Sequence, residues 1–177
     1  MKKRYLVIAT LLLLAVSSLF VGCKKKGNDT PERLNKVVYG DETIRLESNI
    51  YYYYGQVEDV FLHKIFLLSD DITVTVSGSN FDISGSGTAL FLELRSDTPS
   101  IFGSYNIGTN PRVTAQLFRN WPSEKGDEGD DNLPQFNKGS ITITGQDANM
   151  KVEVNFNSTT GVELKGGFEG TFYFANY

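Results

Sequence analysis

Apolar and polar residues alternate along most of this chain. Ile141 and Ile143 alternate with Thr142 and Thr144, and Val152, Val154 and Phe156 alternate with Lys151, Glu153 and Asn155. Leu164, Phe168, Phe172 and Phe174 share one parity, while Glu163, Lys165, Glu169 and Thr171 share the other. A period of two, rich in β-branched and aromatic residues, predicts half-buried antiparallel strands. Gly145-Gln146-Asp147-Ala148-Asn149 and Asn157-Ser158-Thr159-Thr160-Gly161 carry turn chemistry between them. The last third therefore predicts a three-stranded meander.

Upstream, Thr43 to Tyr54 predicts a long strand with Ile44, Leu46, Ile50, Tyr52 and Tyr54 on one face. Val60 to Ser69 is apolar on both parities, as expected of a central strand covered on both sides. Asp70-Asp71 turns the chain into a strand over Ile72 to Val76. Ala89 to Arg95, Gly103 to Ile107 and Val113 to Asn120 complete the set. No stretch shows helical periodicity with caps. About nine to ten short strands predict an all-β fold, an antiparallel β-sandwich or flattened β-barrel. Both closures alternate in the same way, so the pattern leaves the choice open. Gly166, Gly167 and Gly170 interrupt the last strand, which predicts a bulge or sharp bend there, or room for Phe168 or Phe172 to lie across a neighbour.

The amino terminus is built differently. Met1-Lys2-Lys3-Arg4 precede an apolar run from Tyr5 to Val21, then Gly22-Cys23. A basic start, an apolar run and a small residue at the cut are the order of a secretory signal peptide. A membrane-spanning helix needs about 20 apolar residues; this run is shorter and ends in Gly-Cys followed by lysines. The chain thus divides into a signal peptide over residues 1–22, a polar tether over 23–36 and a single β domain over 37–177. As a tether, 24–36 reaches roughly 40 Å when extended.

Removal of residues 1–22 leaves 155 of 177 residues, enough for one domain with a core of its own. Cys23 is the sole cysteine, so no intrachain disulfide can form. Beyond Lys36, 9 basic residues face 19 acidic ones. Nucleic acid is excluded as an expected partner, because phosphate binding needs a basic patch. Lys24-Lys25-Lys26 could pair with anionic headgroups at about 1 kcal/mol each, or simply keep the tether soluble.

Leu19-Phe20-Val21-Gly22-Cys23 resembles the lipobox of bacterial lipoproteins, with Phe20 where leucine is commoner. The resemblance implies cleavage after Gly22 and lipid attachment at Cys23, and so a protein anchored to a membrane through its lipid rather than spanning it. With the lysine-rich tether and the pattern Gly-Ser-Ile-Thr-Ile … Val-Glu-Val-Asn-Phe … Leu-Lys-Gly-Gly-Phe-Glu-Gly-Thr, over roughly 139–174, the chain resembles small uncharacterised β-rich lipoproteins of Bacteroidetes. In that group, acidic residues just after the cysteine accompany export to the cell surface. The lysines here imply the periplasmic face of the outer membrane, with the cell surface as the alternative. The resemblance implies no catalytic residue.

Candidate chemistry within the domain is sparse. His63, the only histidine, shares its parity with Phe61, Ile65 and Leu67, which predicts an imidazole satisfied in the core; it also excludes a multi-histidine zinc site. Glu124 to Asn132 carries oxygen ligands of the kind calcium takes, but not at EF-hand spacing, and is expected to be a solvated acidic loop. Tyr51-Tyr52-Tyr53-Tyr54 on a strand would send Tyr52 and Tyr54 inward and Tyr51 and Tyr53 outward. Trp121, beside Pro122 at a loop entrance, is a candidate ligand contact. Glu47, Glu93, Glu153 and Glu169 fall on expected polar faces rather than across a cleft. No Gly-rich phosphate loop and no Cys-x-x-Cys occurs. The expectation is a lipid-anchored envelope protein that is not an enzyme and needs no cofactor or metal. Its expected role is as a binding module for a glycan, a small molecule or an envelope protein. The alternative is a structural or adhesive envelope component.

Overall fold

Alternation is realised as β1 (Lys36–Tyr39), β2 (Glu42–Val57), β3 (Val60–Ser69), β4 (Ile72–Ser77), β5 (Asn80–Gly85) and β6 (Gly87–Ser96), followed by β7 (Gly103–Ile107), β8 (Val113–Trp121), β9 (Phe136–Gln146), β10 (Asn149–Ser158), β11 (Glu163–Thr171) and β12 (Tyr173–Asn176). This computed structural model describes residues 34–77, 80–107, 112–122 and 134–176. The signal peptide, Cys23, the tether through residue 33 and the acidic loop 124–132 lie outside the described residues. Asn35 and Lys36, the expected end of the tether, already take part in the sheet: the Asn35 carbonyl accepts the Leu46 N–H at 3.0 Å.

Ten strands form one sheet, nine of them in the order β7-β9-β10-β11-β1-β2-β3-β6-β8 with β12 added beside β2, while β4 and β5 pair separately as a hairpin. The ladders are antiparallel except that β12 runs parallel to β2. β1 covers β2 only from Glu42 to Arg45, and β12 takes over the same edge from Ile50 to Tyr53. The sheet curls until β8 approaches β7 and β9. Among the described residues a single bridge, Gln116 to Gln135, joins its ends rather than a ladder. The fold is thus all-β, a flattened barrel left unclosed. The meander β9-β10-β11 is formed as expected.

Two cores result. Inward side chains, among them Leu67, Leu92, Leu117, Ile141, Val152 and Phe156, fill the barrel. On the outer face, Ile50, Leu68 and Ala89 meet Ile72 and Val74 of the β4–β5 hairpin, which lies on the sheet as a partial lid. This explains the apolar residues on both parities of β3: Ile65 and Leu67 point into the barrel and Leu68 into the outer core.

The tyrosine run is inverted relative to the sequence reading. The β2–β3 register shifts between Leu46 and Ser48, and one extra residue in a strand exchanges inside for outside. Ile44 and Leu46 face the barrel core, but Ile50 and Tyr52 face the outer core, and it is Tyr51, 4% exposed, that enters the barrel. Asn49, beside this bulge where β2 passes from β1 to β12, is buried, and neither amide atom has a partner among the described residues.

The glycines of β11 mark no bulge, since its register with β1 and β10 runs unbroken; two of them let neighbouring backbone come close, and the third makes the expected room for a ring. Gly166 has φ +138°, and a Cβ there would lie 2.1 Å from the Lys36 carbonyl oxygen of β1. At Gly167 it would lie 1.9 Å from the Val152 carbonyl of β10. Gly170 makes room for the Phe168 ring, which a Cβ would meet at 2.8 Å.

Candidate functional site

Outward residues of β2, β3, β6 and β8, with the hairpin and β12, form a continuous aromatic face. Phe66 is at its centre. Its ring centroid lies 5.0 Å from Phe91, 5.4 Å from Trp121 and 5.9 Å from Tyr52. Phe91 extends the cluster to Phe118 at 6.3 Å, and Tyr52 extends it to Tyr54 at 6.3 Å and Phe81 at 5.9 Å. Phe81 leads to Tyr173 of β12, which is 37% exposed. All but Tyr173 are half-buried. The hairpin covers only part of the sheet, so rings that a full second layer would bury remain accessible.

Charge is placed within the face. Lys64 Nζ sits 4.9 Å from the Tyr54 ring centroid and 5.9 Å from that of Phe91, a cation held over aromatic faces. It also lies 3.7 Å from Glu93, which pairs with Arg95 at 3.3 Å.

Trp121 reaches the face through a local irregularity. Asn120 has φ +55°, a left-handed conformation that asparagine tolerates better than most residues, and the β6–β8 register shifts between Gly87 and Ala89. Plain alternation from Phe118 would point residue 121 to the opposite side; the irregularity turns the indole outward, stacked on Phe66 at 28°. Of the sequence candidates, Trp121 is placed here, beside Tyr52 and Tyr54, which were expected to face inward; Tyr51 and Tyr53, expected to face outward, lie against His63 instead. Phe66, Phe91, Phe81 and Tyr173 were missed. The signal for them was the apolar residues on both parities of β3 and β6, which reveal a covered outer face but not an incomplete cover.

His63 lies elsewhere, inside the barrel and fully buried. Ser96 Oγ donates to the Thr98 carbonyl at 2.5 Å, so it accepts from His63 Nε2 at 2.9 Å, leaving Nδ1 to accept the Tyr51 hydroxyl at 2.7 Å. Burial pushes the imidazole pKa down to about 4, against a smaller opposing effect of the Thr98 carbonyl. Burial, with Tyr53 and Tyr105 nearby, raises that of Tyr51. This neutral relay braces β2, β3 and the turn after β6.

Two polar clefts open at opposite ends of the barrel. One, about 620 Å³, is lined by Glu42, Asp70, Asp71, Thr88, Arg119 and Asn120 among others. The other, about 430 Å³, lies over Ser96 and includes the Arg112–Asp97 ion pair and the exposed Phe102. Glu47, Glu93, Glu153 and Glu169 are not brought together at either, and no metal-ligating cluster occurs among the described residues. The chain matches no protein-family model, no curated protein and no solved structure, so a functional reading has to come from the chemistry of the face and the clefts.

Proposed function

We propose that this chain is a lipid-anchored protein of the bacterial envelope, attached through Cys23, whose β domain is a non-catalytic module that binds a neutral glycan on its aromatic face. The observation that carries this reading is the half-buried cluster around Phe66 and Trp121 with Lys64 and Glu93 set into it. A sugar ring has an apolar C–H face and a rim of hydroxyls. Rigid, partly exposed rings match the first, and charged groups already paired within the protein match the second. An acidic polymer fits poorly, because the domain itself carries a large excess of acidic residues. His63 supports a non-catalytic role: its Nδ1 lone pair is taken by Tyr51, and burial leaves it a weak base. The lipobox-like segment supports the anchor, and the lysines after Cys23 favour the periplasmic face of the outer membrane.

A second reading rests on Tyr173 and Phe174, 37% and 45% exposed on the short strand β12. Exposed aromatics on a short strand suit a structural or adhesive component that meets other envelope proteins.

The test is native affinity electrophoresis of the full chain in detergent, through gels containing hydroxyethylcellulose, xylan, glucomannan, laminarin or dextran. At least one polymer is expected to retard it. Trp121→Ala and Tyr54→Ala should each weaken that retention by about tenfold or more. No retardation in any gel, or retention unchanged in both variants, would count against the reading.

A further inference from the structure

We infer that the 430 Å³ cleft beside the turn after β6 binds a small organic acid, whose carboxylate meets Arg95 and Arg112 and whose apolar body lies on Phe102; the site does not depend on the glycan reading of the aromatic face. The described arginines are divided between the two clefts: Arg45 and Arg119 line the first, Arg95 and Arg112 the second. Their company differs. In the first cleft Glu42, Asp70 and Asp71 outweigh the two arginines by one charge. In the second only Asp97 opposes them, which leaves one positive charge in excess. That excess lies in a domain with 9 basic and 19 acidic residues beyond Lys36.

The sheet holds the two arginines side by side. The Arg95 N–H donates to the Arg112 carbonyl at 2.8 Å, directly after the Leu94–Val113 pair, so they stand opposite each other across the end of β6 and the start of β8. Opposite residues of an antiparallel pair share a face, and like charges placed so are unfavourable. A bound anion relieves that repulsion. The guanidinium groups also have donors to offer. Arg119, in the other cleft, engages Glu42 with both terminal nitrogens. Arg95 uses one nitrogen, toward Glu93 at 3.3 Å, and Arg112 uses one, toward Asp97. Each guanidinium carries five N–H donors, so most have no partner among the described residues, and a carboxylate can take two of them in parallel.

The turn that carries Asp97 and Phe102 is fixed at both ends. Buried Ser96 donates to the Thr98 carbonyl and is tied through His63 to Tyr51. Ile101 packs in the barrel core, and its carbonyl accepts the Tyr105 hydroxyl at 2.7 Å. Phe102 follows it in the chain and is left 38% exposed, on the lining of the cleft that holds the two cations. A molecule with a carboxylate at one end and an apolar body matches both features. A dianion fits less well, because Asp97 and Glu93 already lie against the arginines. An acidic polymer fits less well still, since the rest of the domain repels it. The volume is within the usual range for small-ligand sites.

The experiment titrates the full chain in detergent with phenylacetate and follows the arginine Nε–H signals by nuclear magnetic resonance. Arg95→Lys and Arg112→Lys assign their two signals by removing them one at a time. In the unmodified chain both signals are expected to move to saturation, while those of Arg45 and Arg119 stay in place. Phenylacetamide, the same body without the charge, and acetate, the charge without the body, should each bind about tenfold more weakly or worse. Each lysine variant keeps the charge and loses the planar fork, and should weaken phenylacetate about tenfold, read on the signal of the remaining arginine. Phe102→Ala should reduce phenylacetate to the level of acetate. The proposal is overturned if neither signal saturates, if Arg45 and Arg119 shift along with them, or if phenylacetamide binds as well as phenylacetate. Sulfate binding as tightly as phenylacetate would also overturn it, leaving a general anion site in place of one for organic acids. The ligand comparisons are made on the unmodified chain and stand even where a variant fails to fold.

Discussion

Gly166→Ala is expected to be among the most damaging single substitutions in the domain, costing on the order of 4 kcal/mol. Two effects add. The backbone at φ +138° is one that a side chain disfavours, and the new Cβ would sit 2.1 Å from the Lys36 carbonyl oxygen and 2.8 Å from the Val37 Cα. Neither neighbour is the movable end of a side chain: both belong to the backbone of β1, hydrogen-bonded between β2 and β11. Relief therefore requires prising β1 from β11. Gly161→Ala separates the two effects, since φ is +82° there but a Cβ meets nothing within 4 Å; it should cost about 1–2 kcal/mol. Urea unfolding of the three proteins measures both. A Gly166→Ala protein within 1 kcal/mol of the parent, on the order of ordinary surface changes, would show that β11 has slack that the structure does not.

Acidification should produce the next largest effect, through His63. Free imidazole titrates near 6.5, and His63 in the barrel is pushed down to about 4. The folded state therefore refuses a proton that the unfolded chain accepts. This contribution to stability is complete above about pH 6.5, falls as pH drops toward 4, and changes no further below that. At about 1.4 kcal/mol per pH unit the loss reaches about 3 kcal/mol. Tyr51 and Ser96 occupy both ring nitrogens, and Tyr53 stacks on the ring at 5.2 Å, so a charged imidazole would have to find a new arrangement among neutral groups. Unfolding free energies at pH 7 and pH 4 should fall further apart in the parent than in His63→Gln, by about 2–3 kcal/mol. Equal differences in the two proteins would mean that water reaches the relay.

Much of this architecture was legible in the sequence because period-two alternation is a direct consequence of a sheet with one dry face. The meander from Ile141 to Thr171, the doubly covered β3 and the buried histidine follow from that rule alone; Phe174, expected in the same last strand, lies instead on β12 beside β2. What escaped it has identifiable physical causes. β1, with four residues, is too short for alternation to register, and β5 alternates only at Phe81 and Ile83, within Ser, Gly, Asn and Asp residues that read as turn chemistry. The tyrosine run was assigned to the wrong sides because a bulge near Glu47 changes the phase of everything after it, and the residues around Glu47 carry no mark of the extra position. Trp121 escaped the alternation of β8 for the same reason. There the asparagine before it was a usable signal, since asparagine tolerates left-handed backbone. The aromatic face itself was hidden because sequence shows which residues avoid water but not how completely a two-stranded hairpin covers them.

Trp121 is the only tryptophan in the chain, which makes its fluorescence a direct report on the aromatic face and on nothing else. The decisive measurement is the emission of the full chain titrated with the polysaccharide that retards it, together with quenching by iodide. A shift to shorter wavelength and loss of iodide access at saturation is the expected result, because a sugar ring on the indole replaces water. Binding established by retardation with emission and quenching unchanged throughout would place the ligand elsewhere and contradict the assignment of this face.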